Sequence, residues 1–565
     1  MVAKNSLPFA EARGDDLAIA DEFASVTFVQ VNERVNRAVH ALQSFGLGQG
    51  DRVALLVGNR HEALEFATAV YHAALVNVPI NWHLAAEEVA YILDDSDARV
   101  ILADAEHGDL AADAAARAQD VEHRIVFGGA LDGFLELEEV LAAQSADEPE
   151  QQASGATMFY TSGTTGRPKG VVSSLLPIGE DAAVVQMLLE GLGGLMQYPR
   201  DGRALVMAPV YHSGPFATAA IASALGNTLY FTRKFDPEEM LRLIDEHAIT
   251  SIYAVPTFFT RLLKLPEDVR TKYDVGSVEY VWHTAAPCPR EIKQQMMDWW
   301  GPVIHEGYGA TEGSITVWAT PEQWLEKPGT VGKIVPTVEL LVVGDDGAQL
   351  GPGEVGQLYF RSLLGADFEY HKAPEKTQDV HLEPGVFTFG DVGYVDEDGF
   401  VFLSDRKIDM IISGGVNIYP AEIESVLVTH DAVADAAVFG IPNEDFGEEV
   451  KAVVELREGR EATGALASEL EAFCRDHLAG YKAPGPSTSP RSSRAPRPAS
   501  SSSGASATPT GNRRGERSEC LEPRPTRRGR RRRGRRRGGC RSGALVHVRA
   551  PDQAQPVSAA PPVRS

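Results

Sequence analysis

Over the first 400 residues, short β-branched apolar runs alternate with stretches of helical period, the rhythm of layered α/β folds. DRVALLVGN (51–59) and ARVILAD (98–104) predict strands, and HEALEFATAVYHAAL (61–75) between them predicts a helix. Gln144–Ser154, rich in Gln, Asp and Glu, predicts a surface loop, and the apolar run Ala156, Met158, Phe159, Tyr160 predicts a strand leaving it. Pro- and Gly-bounded runs from Gly329 to Gly356 predict a small β region. A second unit is expected from Asp405, with a helix in YPAEIESVLVTH (419–430) and strands in VADAAVFGIPN and EEVKAVVEL. After Pro484 the apolar periodicity stops, leaving Ser, Pro, Arg, Gly and Ala, and no internal repeat occurs.

This pattern predicts an α/β chain: a large N-terminal domain of layered sheets and helices with a β region (1–404), a small mobile α+β domain (405–484) and a disordered tail (485–565). At 565 residues the chain is too long for one core. The N-terminus lacks an apolar signal-peptide core and no uncharged run of 18 apolar residues occurs, so no transmembrane segment and a cytoplasmic location are expected. Cys288, Cys474, Cys520 and Cys540 are far apart and fit no zinc spacing; a disulfide framework is not expected. The net charge of −26 hides an asymmetry: from Gly485 onward there are 19 Arg, no Lys and four acids, a net of +15, so residues 1–484 carry −41. An acidic body argues against a nucleic-acid surface on it.

The densest chemistry lies in TSGTTGRPKG, Thr161–Gly170. Gly163 and Gly166 let the backbone approach a ligand and converge N–H groups on phosphate oxygens. Thr161, Ser162, Thr164 and Thr165 add hydroxyl donors, and Lys169 adds a charge. The spacing from Gly163 to Lys169 is wrong for a Walker P-loop, and Gly170 stands where Ser or Thr should follow the lysine. The string resembles the phosphate loop of the adenylate-forming enzymes: acyl-CoA synthetases, luciferases and peptide-synthetase adenylation domains.

Other segments extend the resemblance across residues 25 to 484, in the family's order. In PVYHSGPF, the resemblance places His212 beside the acyl pocket and the entrance for the acceptor thiol. WHTAAPCP resembles the small-residue turn along the adenine ring, with Ala285, Ala286 and Pro287 leaving room for a flat base and Cys288 a packed thiol. HEGYGATEG implies that Tyr308 stacks on adenine, Thr311 contacts the α-phosphate and Glu312 holds Mg²⁺, with Glu306, Gly307 and Gly309 also lining the nucleotide. A hard cation prefers carboxylate oxygen. FGDVGYVDEDGF supplies Asp391 for the ribose hydroxyls, with Phe389 where relatives carry Thr. SDRKIDMIISGGVNIYPAEIE supplies Arg406 for the ribose, a hinge at Lys407–Ile408, Gly414 and Gly415 in the thiol-acceptor loop, and Asn417 at the nucleotide end. Many relatives carry a charged residue where this chain has Ile408.

The resemblance implies two half-reactions: a carboxylate attacks the α-phosphate of ATP, then the small domain rotates and a thiol attacks the acyl-adenylate. The expected activity is an ATP- and Mg²⁺-dependent acid–CoA ligase for a fatty or related acyl chain, APVYHSGPF, HTAAPCP and SGGVNIYPAEIE being similar to bacterial fatty-acyl-CoA synthetases. Its expected partners are the carboxylic acid, ATP and CoA, without specific nucleic acid; a homodimer is compatible. The same-class alternative loads an acyl-carrier protein. The different-class alternative is a silent binding protein whose Arg-rich tail contacts nucleic acid.

One family residue is missing. Relatives carry a lysine in a Pro-x-Gly-Lys motif near the C-terminus, bridging carboxylate and α-phosphate, yet no lysine follows Lys482. One reading of the tail is a disordered segment for nucleic acid or anionic lipid. The other is a shifted reading frame. Loss of one cytosine near the Ala483–Pro484 codons lets GPSTSPRSSRAPRPASSSS decode, with permitted synonymous codons, to RSIDFTEELPRAPTGKLLK, and GASATPTGN to RRLRDPYWE. The lysine codon would straddle Ala499 and Ser500, and a stop codon becomes available across Ser518 and Glu519. An Arg-rich, Lys-free stretch is also what GC-rich DNA gives out of frame. Adenylation by the chain as written is therefore expected to be impaired.

Overall fold

In the computed structural model the described residues are 7–161, 167–174, 178–406, 409–413, 416–443, 447–457, 459–479, 482–484 and 545–549. Valine-, isoleucine- and alanine-rich runs form two sheets with parallel pairing. A six-stranded sheet contains Arg52–Leu56, Val76–Pro79 and Ala98–Asp104, all paired in parallel. These three central strands are buried on both faces, as parallel strands covered by helices must be. The helix between the first two, His61–His72, falls within the predicted stretch.

A fifteen-stranded sheet carries the candidate site. Eight strands and one helix matter below: β1 (Phe159–Thr161), β2 (Lys169–Ser173), α1 (Ser213–Ala224), β3 (Ser251–Ala254), β4 (Tyr280–His283), β5 (Ile304–Ala310), β6 (Ser314–Ala319), β7 (Phe368–Tyr370) and β8 (Asp391–Val395). β3, β4 and β5 pair in parallel, and the pairing turns antiparallel at β5–β6. The loops after Val206, His283 and Ala310 leave the carboxyl ends of parallel strands, where open α/β sheets bind ligands. β1, β2 and β7 form a separate three-stranded antiparallel sheet.

The last strand of the large sheet, β9, runs Phe400–Arg406 and pairs Arg406 opposite Asp391. The small domain therefore begins after residue 406, slightly later than the change in sequence pattern implies. Its helix Pro420–Leu427 and strands β10 (Val433–Asn443) and β11 (Gly447–Leu456) match the expected elements. Within the tail expected to be disordered, β12 (Leu545–Arg549) pairs in parallel with β11 over Lys451–Glu455. LVHVR alternates apolar and polar positions, which suits an edge strand. Among the described residues, no helix is long and apolar enough to cross a membrane.

Candidate active site

The phosphate loop is shorter than its sequence implies. Lys169 and Gly170 belong to β2, with Lys169 opposite Thr161 and Gly170 opposite Tyr160 in an antiparallel ladder. Gly170 packs closely there, since a Cβ would lie 2.9 Å from Met158 Sδ and 3.2 Å from Tyr160 Cζ and would push those side chains aside. Ser162, Gly163, Thr164, Thr165 and Gly166 lie outside the described residues. Thr161 and Lys169 thus stand at the two strand ends of a hairpin.

Lys169 Nζ sits 4.5 Å from the centre of the Tyr370 ring, and the Tyr370 hydroxyl donates to Glu312 Oε1 at 3.0 Å. Desolvation and the Lys376 charge lower the Lys169 pKa, against the opposing pull of Glu312 and Asp379. Tyr370 belongs to β7, beside β2. The sequence reading missed it, because no motif surrounds it. Glu312 follows the carboxyl end of β5, where Thr311 Oγ1 lies 3.1 Å from Ser213 Oγ at the start of α1. Lys169, Tyr370 and Glu312 therefore form one cluster, and Thr311 adjoins Glu312 in the chain.

A second group of candidate residues is built from β5 and β8. Tyr308 Oη donates to Asp391 Oδ2 at 2.5 Å. Phe389 stacks on Phe360 at 4.9 Å and meets the Tyr308 ring edge-on at 6.0 Å, so this departure from the family pattern is absorbed by aromatic packing. Ala285, Ala286 and Pro287 are exposed on the loop after β4, with Ala285 at φ 77°. His212 is the exposed residue capping α1, its ring 4.5 Å from Tyr211. Close packing on that side and the nearby His83 lower its pKa. Gly309 is required by close approach: a Cβ would lie 1.9 Å from the Ser314 carbonyl, where the β5–β6 register shifts.

The Glu306 side chain is committed to a buried ion pair. It is 8% exposed and pairs with Lys293 Nζ at 2.7 Å, with His283 Nε2 at 3.3 Å. It alternates with Gly307 along β5 and so points to the opposite face of the sheet. Lys293 and His283 are fully buried, and Lys293 Nζ lies 4.9 Å from the Trp324 ring centre. Burial favours a neutral carboxyl, but Lys293 and His283 overcome it and hold the Glu306 pKa at about 2. Burial and the Lys293 charge keep His283 neutral, its pKa below the ordinary value. Burial pushes the Cys288 thiol up, as a packed thiol requires. Asn417 is exposed on the small-domain strand Val416–Ile418; the Arg406 side chain, Lys407–Ile408, Gly414 and Gly415 lie outside the described residues.

The chain matches the AMP-binding enzyme family over residues 8–365 and the AMP-binding enzyme C-terminal domain over 422–488. It belongs to the AMP-binding, adenylate-forming family. It is 34% identical over 467 residues to the long-chain-fatty-acid–CoA ligase FadD13 of Mycobacterium tuberculosis, covering 81% of this chain and 88% of that protein. It is 33% identical over 467 residues to the feruloyl-CoA synthase of an Amycolatopsis species, covering 81% and 89%. Among solved structures, the anthranilate CoA ligase AuaEII in complex with anthranoyl-AMP superposes with a TM-score of 0.76 at 25% identity, over 85% of this chain and 92% of that one. The buried Lys293–Glu306–His283 group lies on the face of β5 opposite Gly307.

Proposed function

We propose that this chain is an AMP-forming carboxylic acid–CoA ligase, acting through an acyl-adenylate and releasing pyrophosphate and AMP. The observation that carries the reading is the Lys169–Tyr370–Glu312 cluster beside Thr311, with Tyr308 and Asp391 on the adenosine side. Relatives named as CoA ligases for fatty and aromatic acids support the acceptor and the substrate class.

Catalysis of this kind is largely positioning and charge neutralisation. Lys169 and the hydroxyl of Thr161 would hold the departing pyrophosphate end, and Thr311 the α-phosphate. Tyr308 and Asp391 would fix the adenosine, with Arg406 and Asn417 completing its contacts. The residues present fit Mg²⁺: Glu312 supplies a carboxylate next to hydroxyl oxygens, a hard donor set, and the ion would neutralise phosphate charge there. The acceptor thiol would enter past His212, with Gly414 and Gly415 arriving as the small domain turns.

Adenylation is the weaker half-reaction, because no lysine follows Lys482 to bridge carboxylate and α-phosphate. Loss of one such transition-state cation typically costs ~10²–10³ in rate by analogy with oxyanion donors. The test is a panel of carboxylic acids with ATP and CoA, reading pyrophosphate and acyl-CoA separately. Acid-dependent pyrophosphate with CoA thioester supports the ligase; acyl transfer to a carrier protein without free acyl-CoA replaces the acceptor; no acid-dependent turnover, even from supplied acyl-adenylate, overturns the proposal.

A further inference from the structure

The sheet face beneath α1 is filled with aromatic rings. β3, β4, β5 and β6 place Tyr253, Trp282, His305 and Trp318 on the same face as Gly307, since Tyr253 pairs with Trp282, Trp282 with His305 and Gly307 with Trp318. The Tyr253 and Trp282 rings meet edge-to-face at 5.5 Å, and Trp282 lies 5.9 Å from Trp318. Tyr253 and Trp282 are each 2% exposed, so the packing leaves them almost no solvent contact.

Two glycines mark where the backbone touches this floor. A Cβ at Gly214, in the first turn of α1, would lie 2.5 Å from Tyr253 Oη. A Cβ at Gly307 would lie 2.6 Å from Trp282 Nε1 and 3.1 Å from Trp318 Cζ3. Beside Gly214, at the start of α1, the hydroxyls of Ser213 and Thr311 are 3.1 Å apart. Between Gly309 and Gly307 the strand advances by one two-residue step, about 7 Å. An acyl group directed from Thr311 along this face of β5 therefore comes to the Trp282 and Trp318 rings beside Gly307.

We infer that Trp282 and Tyr253 are specificity-determining residues that close the acyl site. They limit it to a compact acyl group, a single aromatic ring or a short aliphatic chain. The inference rests on the ligase reading and narrows its substrate class. A long extended chain would have to displace close-packed rings, whereas a compact acyl group would not.

The test measures binding of acyl-sulfamoyl adenosines, stable mimics of the acyl-adenylate, to the full chain, with AMP as competitor. Binding does not require the missing lysine to turn over. The benzoyl and butanoyl analogues are expected to bind at least about tenfold tighter than the hexadecanoyl one, and Trp282→Leu to bring that ratio below about threefold. Tyr253→Leu is the second variant, should Trp282→Leu not fold; if neither folds, the length profile of the unaltered chain decides. Equal or tighter binding of the hexadecanoyl analogue, or a ratio unmoved in a folded variant, overturns the closed pocket and leaves the ligase reading standing. Absence of AMP-competed binding by every analogue overturns the ligase reading itself.

Discussion

Replacing Lys293 with Met isolates the charge group that supports β5. The substitution keeps the length and apolar stem of the side chain while leaving the Glu306 carboxylate buried with only His283 nearby, at 3.3 Å. The Glu306 pKa is held down from 4.5 to about 2, a preference for the charged form of about 3 kcal/mol at 1.36 kcal/mol per unit. Breaking a buried pair by removing one partner typically costs about 3–5 kcal/mol, and the remaining histidine favours the lower end. The six tryptophans, Trp82, Trp282, Trp299, Trp300, Trp318 and Trp324, all precede the small domain, so urea unfolding read by their fluorescence reports the large domain alone. At a slope of about 3 kcal/mol per molar or more, the midpoint should fall by about 1 M or less.

The pH dependence fixes the sign. In the unaltered chain the depressed Glu306 pKa stabilises fully above pH 4.5, and that contribution is lost as pH falls through about 2. In Lys293→Met, burial is left largely unopposed and raises the folded pKa above its unfolded value, so acid relieves the variant. The difference between the two proteins should shrink from pH 7 to pH 4. Lys293→Met/Glu306→Leu should recover most of the loss, since replacing both charges with apolar groups removes the unpaired ion. An unchanged midpoint, a double variant less stable than the single one, or a gap that widens in acid would refute the electrostatic account.

Glu312→Gln should lower adenylation by ~10²–10³ in a pyrophosphate-release assay, whereas Tyr370→Phe, which keeps the ring beside Lys169, should cost less than about tenfold. An equal loss in both would show that the hydroxyl, rather than the ring, organises the cluster. Tyr308→Phe removes the donor to Asp391 and should weaken AMP binding by about 0.5–1.5 kcal/mol by calorimetry, with no change expected in the half-reaction preference. If the Arg-rich tail has a binding role of its own, duplex DNA should bind in a salt-sensitive way that disappears on deleting 485–565; binding that survives the deletion would place it elsewhere.

The parts of the site legible in the sequence are those whose chemistry is contiguous. Tyr308, Thr311 and Glu312 fall within six residues of one another, and Thr161 and Lys169 frame one loop, so their strings can be read without knowing the fold. Tyr370 could not be read so: it is 58 residues from Glu312 and meets it only because β7 pairs with β2. Glu306 was legible as a residue, but the burial of its side chain was not, since its motif neighbours obscure the strand alternation that turns the carboxylate toward Lys293. Its signal was Lys293, a charge among Ile292, Met296 and Met297 on the buried side of the helix Arg290–Trp300. The small-domain strands were plain from alternation, while its start was displaced because the polar residues Asp405 and Arg406 still complete β9.

The end of the described small domain bears on which half-reaction the tail removes. Ala483 is 7% exposed and belongs to the same core as Ile411, Leu470 and Cys474. Lys482 Nζ reaches both Glu422 carboxylate oxygens, at 2.8 and 2.6 Å, on the helix Pro420–Leu427. Packing of the domain thus persists to the residues where composition changes, and β12 pairs with the edge of β11. A domain with its core intact but without a following lysine should lose chemistry rather than fold. Exchanging the tail for RSIDFTEELPRAPTGKLLK, the sequence that the shifted-frame reading gives, should therefore raise pyrophosphate release by ~10²–10³, while the rate of thioester formation from supplied acyl-adenylate changes little. A parallel rise in both rates would mean that the chain as written carries a misfolded small domain.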